Sequence, residues 1–490
     1  VLIERYNLAC KPNWHESFVA AVVTRRVESV NAHIREVYPS HYWPGDSLGD
    51  HLEFALKYDG VNLEILASLF TKAPQDELAS YIRAKPMGKY ARRAWYFYEM
   101  LTGLRLPLTD LRRGNYVDLL DPDRYYTSAG RSVGRQRIRD NLLGDARLCP
   151  VVRRTDRLEA FEQARLDERC RRVMAGYPED ILKRAMQYLC TKETKSSFEI
   201  EHITPNATRT ERFVALLRTA EDEDFVNKEA LLRVQNRIVD ERFREPDYRQ
   251  TQNYVGETVA LHRERVHCIF PKPDDLPAMM EGLVATHQHL GDGGIHPVIH
   301  AAAVAFGFVF LHPFEDGNGR IHRFLIHNIL ARRGFTPKGI MFPVSAAMLK
   351  NPAAYDAALE AFSKPAMALV EYSLDEKGRL TVHNDTALLY RYIDMTAQAE
   401  ALFQFIQDTV DRELVEELDF LRSYDEAKRA IQEIADLPDR LIDLFIRCCI
   451  QNKGRLSSRK RTAEFSPITD SEVERMEAAV RKAYHIGSGE

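Results

Sequence analysis

Residues 312–323 read HPFEDGNGRIHR, and the stretches on either side decide what kind of fold holds them. Upstream, HPVIHAAAVAFGFVFL (296–311) is apolar enough to read as a helix buried on all sides. Its apolar run, 301–311, falls far short of the roughly 20 residues that span a bilayer. Downstream, RIHRFLIHNILARRG (320–334) sets Ile321, Phe324, Leu325 and Ile329 on one helical stripe. Residues 312–319 are therefore a loop between two core helices, with 320–323 opening the second, and the fold class is mainly α.

The loop itself carries chemistry. Gly317-Asn318-Gly319 lets the backbone turn its N–H groups inward, just where the next helix presents its positive end, and that is an anion site. Arg320 and Arg323 leave the first turn of that helix on one face. Two guanidinium groups beside an anion nest point to a di- or triphosphate. Asp316 would be repelled by bare phosphate and makes sense with Mg²⁺ between them. His312 can take a proton near neutral pH. Together these imply a hydroxyl, deprotonated by His312, attacking a metal-bound nucleotide phosphate.

The rest of the chain sets the frame. At 490 residues, with 45% hydrophobic and 29% charged residues, it holds two to four globular domains. A net charge of −4 gives no whole-chain field toward nucleic acid or anionic membrane. Seven cysteines without a CxxC pair read as reduced thiols, and no signal-peptide core opens the sequence, so a cytoplasmic protein is expected. Residues 1–157 form a mixed, mostly helical region of unknown role, and 376–490 a helical C-terminal region. Between them, 158–375 hold the loop and a β-like piece, NYVGETVAL then VHCIF, closed by the stiff PKPDDLP. EYSLDEKGRLTV reads as a second hairpin. The basic stretch Arg131 to Arg157 reads as a solvated face or domain seam rather than a nucleic-acid groove, and KGRLSSRKR (453–461) likewise.

Two rival sites are set aside. His296 and His300 are four apart as in a zinc helix, but the HExxH glutamate is missing. GNGR also lacks the spacing and lysine of a Walker A loop.

His312, Phe314, Asp316, Gly317, Asn318, Gly319, Arg320 and Arg323 match HxFx[DE]GNGRxxR, and on these residues the chain resembles a Fic-domain protein. The resemblance is sharp from about Ser196 to Pro365. It implies a helical core with a β-hairpin flap at 253–269 and transfer of AMP from ATP to a Ser, Thr or Tyr hydroxyl of a target protein, with release of pyrophosphate. His312 would be the base and Asp316 would hold Mg²⁺ or Mn²⁺. Asn318 and the backbone of Gly317 and Gly319 would receive the α-phosphate, with Arg320 on the β- and Arg323 on the γ-phosphate. Val266 and His267 on the flap would touch nucleotide, and Tyr355 would wall the adenine. An extended, hydroxyl-bearing target segment would add to the flap as a strand, and self-modification is expected. Ser197 and Glu201, on a helix near 190–204, match the family's inhibitory pattern [ST]xxxE[GN] up to His202, where Gly or Asn is expected. Glu201 would then pair with Arg323 and block the γ-phosphate seat. Related sites transfer UMP, phosphocholine or phosphate, or remove AMP, and these stay as alternatives. No membrane is expected as partner, and a nucleic-acid-binding module is kept only as the less favoured alternative.

Overall fold

The computed structural model describes residues 1–30, 33–260, 263–292 and 294–487. The chain is mainly helical, with small sheets at its N-terminal end and beside the site. Strands His15–Ala20, Arg26–Val30 and His33–Pro39 form one sheet, the third strand lying between the other two, parallel to the first and antiparallel to the second. This sheet was not expected from the sequence. Its buried face carries the pair His15–Glu36, at 2.9 Å, where an alternating apolar row would have announced a strand. Helices Leu48–Tyr58, Leu63–Lys72, Gln75–Ala84 and Lys89–Thr102 follow and bury Leu52, Phe70, Trp95 and Phe97 in a core of their own.

The arginines of the basic stretch are largely spent on carboxylates. Arg135 pairs with Glu99, Arg139 with Asp118, Arg147 with Asp145 and Arg154 with Glu162. Arg153 and Arg157 reach across to Asp394 and Glu400.

The largest core runs from Tyr126 to Leu421, so side chains on both sides of positions 157 and 375 share it. Its framework is α1 (Glu179–Ile200), α2 (Ala207–Arg218) and α3 (Lys228–Ile238), then the hairpin β1 (Tyr254–Ala260) and β2 (Arg263–Ile269). After these come α4 (Leu276–Asp292), α5 (Pro297–Leu311), α6 (Asn318–Arg332) and α7 (Pro352–Met367). Leu261 and His262, within the expected flap, lie outside the described residues. A second short hairpin pairs Tyr372–Leu374 with Leu380–Val382. A third core, around Ala427, Phe445, Phe465 and Met476, closes the C-terminal helices.

Helix α5 is buried from Val298 to Leu311, which is what its composition demands. Pro297 opens it, where its missing N–H costs nothing, and the His296 ring accepts the Val298 N–H at 3.2 Å. It stops because His312 turns left-handed, with φ +50°, and α6 starts after Gly317 at φ +92°. Those two backbone reversals place the end of one buried helix beside the start of the next. Helix α6 is apolar on the stripe read from the sequence, with Ile321, Phe324, Leu325 and Ile329 all buried.

Candidate functional site

His312 ends α5 with its side chain half-buried. Its ring stacks on Phe270, with centroids 3.8 Å apart and planes 13° apart. Nδ1 lies 3.2 Å from the Val309 carbonyl, which can only accept, so Nδ1 carries the proton and Nε2 keeps the lone pair. Burial, aided by the charge of Arg249, pushes the imidazole down to about 3. The ring is therefore neutral, and its free nitrogen is the one a hydroxyl would meet.

Arg249 is a residue the sequence did not single out. It is buried, and its guanidinium donates to three carbonyls: His312 at 2.8 Å, Thr251 at 2.6 Å and Pro271 at 2.7 Å. Its own backbone N–H donates to Pro313 at 2.9 Å. It forms no ion pair among the described residues. One side chain thus fastens the histidine turn to the chain entering and leaving the hairpin. Nothing in REPDYRQTQNY marks it, because carbonyl partners leave no sequence pattern.

The loop after His312 is braced from inside. Phe314 is fully buried against Tyr248 and Phe308. Both ends of the Asn318 amide are engaged by Phe314: Nδ2 donates to its carbonyl at 2.7 Å and Oδ1 accepts its N–H at 3.0 Å. Asn318 thus holds the loop in shape, with both ends of its amide engaged within it. At Gly319 a Cβ would come within 2.5 Å of Glu201 Oε1, so only glycine admits that carboxylate to the start of α6.

Arg320 and Arg323 are buried, at 0% and 2% exposure, and buried guanidinium groups need anions. Glu201 serves both. Its Oε2 accepts from Arg320 Nε at 2.8 Å and its Oε1 from Arg323 Nη2 at 2.7 Å. Asp316 takes Arg320 Nη2 at 2.5 Å, and Ser197 receives Arg323 through its hydroxyl at 2.8 Å and its carbonyl at 2.6 Å. Four residues earlier on α1, buried Glu193 meets His327 Nε2 at 2.7 Å and accepts the Ser345 N–H at 2.8 Å. Glu193, Ser197 and Glu201 thus form one helical row facing His327, Arg323 and Arg320. Glu193 was not foreseen, although its i, i+4 spacing from Ser197 was there to be read.

The departure at His202 has a backbone meaning. Helix α1 ends in a Schellman turn, with the His202 N–H donating to the Glu199 carbonyl at 2.9 Å and the Ile203 N–H to Phe198 at 3.0 Å. His202 is the left-handed residue of that turn, at φ +55°. Gly or Asn takes this conformation readily and histidine less so.

The remaining expected residues divide. Val266 packs against the core while His267 is exposed and lies 3.5 Å from Glu257, so the two point to opposite faces of β2. Tyr355 is buried and interacts electrostatically with Arg323, which puts it at the arginine end of the site. His296 and His300 take separate partners: His296 caps α5, and His300 bonds His287 at 3.0 Å and Arg333 at 2.9 Å.

Asp316 is 41% exposed, with one oxygen on Arg320. Among the described residues no group of three or more His, Cys, Asp or Glu side chains converges on a common point. A cation here would be held by one carboxylate and completed by phosphate oxygens and water, which is how Mg²⁺ is usually bound. The donor set fits that ion. No described helix is long and apolar enough to cross a membrane.

A model of the Fic/DOC family matches residues 225–330. Over 119 residues the chain is 33% identical to a protein adenylyltransferase Fic from Culex quinquefasciatus, a match taking in 23% of this chain and 21% of that one. Over 91 residues it is 35% identical to the protein adenylyltransferase Fic of Drosophila grimshawi, 19% of this chain and 17% of the relative. The chain thus spans about a fifth of the length of the curated relatives it matches. A solved Fic family protein from Desulfovibrio desulfuricans G20 is 18% identical with a TM-score of 0.39, covering 57% of this chain and 80% of that one.

Proposed function

Starting from a chain that carries a Fic/DOC family domain at residues 225–330, we propose that it is a protein adenylyltransferase held off by its own Glu201. The observation that carries this reading is the Glu201 carboxylate lying on both motif arginines, 2.8 Å from Arg320 and 2.7 Å from Arg323. A seat built for an anion is filled by one from the same chain, and a polyphosphate must displace it.

In the proposed reaction the nest N–H groups at Gly317 and Gly319 receive the α-phosphate, and Arg320 and Arg323 take the β- and γ-phosphates once Glu201 withdraws. Asp316 would hold Mg²⁺, which would neutralise phosphate charge when bound. His312 Nε2 takes the proton from the acceptor hydroxyl as its oxygen bonds to the α-phosphorus. An anionic nucleotide beside the ring favours its protonated form, so binding raises the basicity of His312 from its low resting value. The acceptor, a Ser, Thr or Tyr on an extended segment, adds to the hairpin as a strand. Self-modification is the simplest transfer to look for, since it needs no second protein.

The test is label transfer from α-labelled ATP by wild type and Glu201→Gly, with and without Mg²⁺. Label on protein, raised in the variant and lost in EDTA, supports the reading. Equal labelling by both would end self-inhibition. Label from UTP but not ATP, or release of AMP from modified protein, would replace the chemistry while keeping the site.

A further inference from the structure

We propose that Arg209 is a third polyphosphate-binding residue of this site, gripping the β-phosphate side of a nucleoside triphosphate and the pyrophosphate that departs from it. The proposal rests on the adenylyl-transfer reading above. Arg209 stands in the first turn of α2, where its backbone N–H is capped by Asn206 Oδ1 at 2.9 Å. Its guanidinium carbon lies 5.2 Å from the centre of the Phe198 ring, and that of Arg320 lies 5.2 Å from the same ring. Phe198 is fully buried on α1, one turn before Glu201. Two cations therefore share one aromatic ring at the edge of the proposed phosphate seat.

The difference between them lies in their partners. Arg320 has Glu201 and Asp316, and Arg323 has Glu201 and Ser197. The Arg209 guanidinium, with its five N–H donors, donates to none of the described residues and forms no ion pair with any of them. Its Nε is closed off from solvent without a hydrogen-bond partner. Burial lowers its pKa, and the charge of Arg320 adds to that, offset by Asp316, Asp240 and Glu201, which places it in the field of the motif. A half-buried fork with no acceptor, sharing the Phe198 ring with Arg320, lacks an anion.

The chemistry supplies one. As the acceptor oxygen bonds to the α-phosphorus, the bond from that phosphorus to the bridging oxygen breaks. The electron pair stays on the departing pyrophosphate and the acceptor proton goes to His312. Negative charge thus grows on the β-phosphate side during the step, where a third guanidinium is worth most.

The test uses the full chain in a Glu201→Gly background, adding Arg209→Met, which keeps contact with Phe198, or Arg209→Lys, which keeps the charge. AMP transfer, inhibition by magnesium pyrophosphate and affinity for AMP are measured. Arg209→Met is expected to slow transfer about tenfold or more and to weaken pyrophosphate inhibition about tenfold, with AMP affinity unchanged. Arg209→Lys should recover part of both. Unchanged transfer and unchanged pyrophosphate inhibition overturn the proposal, as does a parallel loss of AMP affinity, which marks a merely structural role. If the Glu201→Gly parent transfers no AMP, the reaction reading fails on its own. Arg209 is then judged by calorimetric binding of inorganic tripolyphosphate, and equal affinity in parent and Arg209→Met overturns it.

Discussion

Two histidines end two helices of this site in the same left-handed conformation, and their surroundings could hardly differ more. His312, at φ +50°, is stacked on Phe270, has its carbonyl held by Arg249, and follows a helix buried from Val298 onward. His202, at φ +55°, is exposed, and the two backbone bonds of a Schellman turn hold it. A left-handed non-glycine residue costs about 1–2 kcal/mol, and such strain persists where the surroundings over-determine it. At His312 they do. At His202 they do not, so the turn that presents Glu201 is the weaker of the two. A fixed base and a releasable carboxylate are what the proposed mechanism asks of these two helix ends.

The comparison breaks first at His312. His312→Ala is expected to lower AMP transfer by roughly 10²- to 10⁴-fold while leaving ATP affinity close to wild type, since in the proposed reaction nest and arginines hold the nucleotide. Undiminished turnover would remove His312 from the chemistry. Arg249→Met should follow, because it frees the histidine turn and strands three carbonyls. Each unsatisfied buried carbonyl costs about 1–3 kcal/mol. A marked drop in Tm is expected, together with a fall in kcat larger than any change in ATP affinity. A lower Tm with kcat intact would show that Arg249 only stabilises the fold.

On the releasable side, Glu201→Gly should raise transfer by about tenfold or more, as charged hydrogen bonds of about 1.5–3 kcal/mol become available to phosphate. The gain should vanish when Arg323→Ala is added. If the double variant matches Glu201→Gly, the pairing with Arg323 is not what restrains the enzyme. The smallest effect is expected from His202→Gly. Relief of the left-handed strain should stabilise the turn by about 1 kcal/mol and reduce wild-type transfer about fivefold. Faster transfer in this variant would refute the idea that the turn's weakness sets the basal activity.

A pH series sharpens the picture of the rigid side. Burial holds His312 and His322 down to about 3 and His296 to about 4, all from 6.5. A histidine depressed in the folded state binds fewer protons there than when unfolded. Stability is therefore full above pH 6.5 and is lost progressively as pH falls toward 3–4. Denaturant midpoints measured from pH 8 to pH 4 should decline below about 6.5, and a flat profile would contradict the burial of these rings.

How much could be read beforehand depended on whether a signal was local. The unbroken apolar run of α5 and the three- or four-residue stripe on α6 are local, so their helices were legible. The hairpin was marked by its alternation and by PKPDDLP. The N-terminal sheet was not, because a His–Glu pair occupies the face where valines and isoleucines would have alternated. The two roles expected for Val266 and His267 ran into a simple rule of strands, since neighbours point to opposite faces. Tyr355 is buried on α7 within the electrostatic reach of Arg323, a neighbour that its place in the sequence does not show.

By itself the sequence determined the identities at 312–323, their place between two buried helices and the residue types able to hold a phosphate. These are properties of backbone reversal, helix period and side-chain charge, all set within a few residues. Tertiary structure alone decided that Glu201, expected on Arg323, would also take Arg320, 119 residues further on, and that Arg249 would grip the turn at His312. It also decided that the two left-handed histidines would differ in strength. Contacts between distant segments depend on how whole helices pack, and no local period in the chain records them.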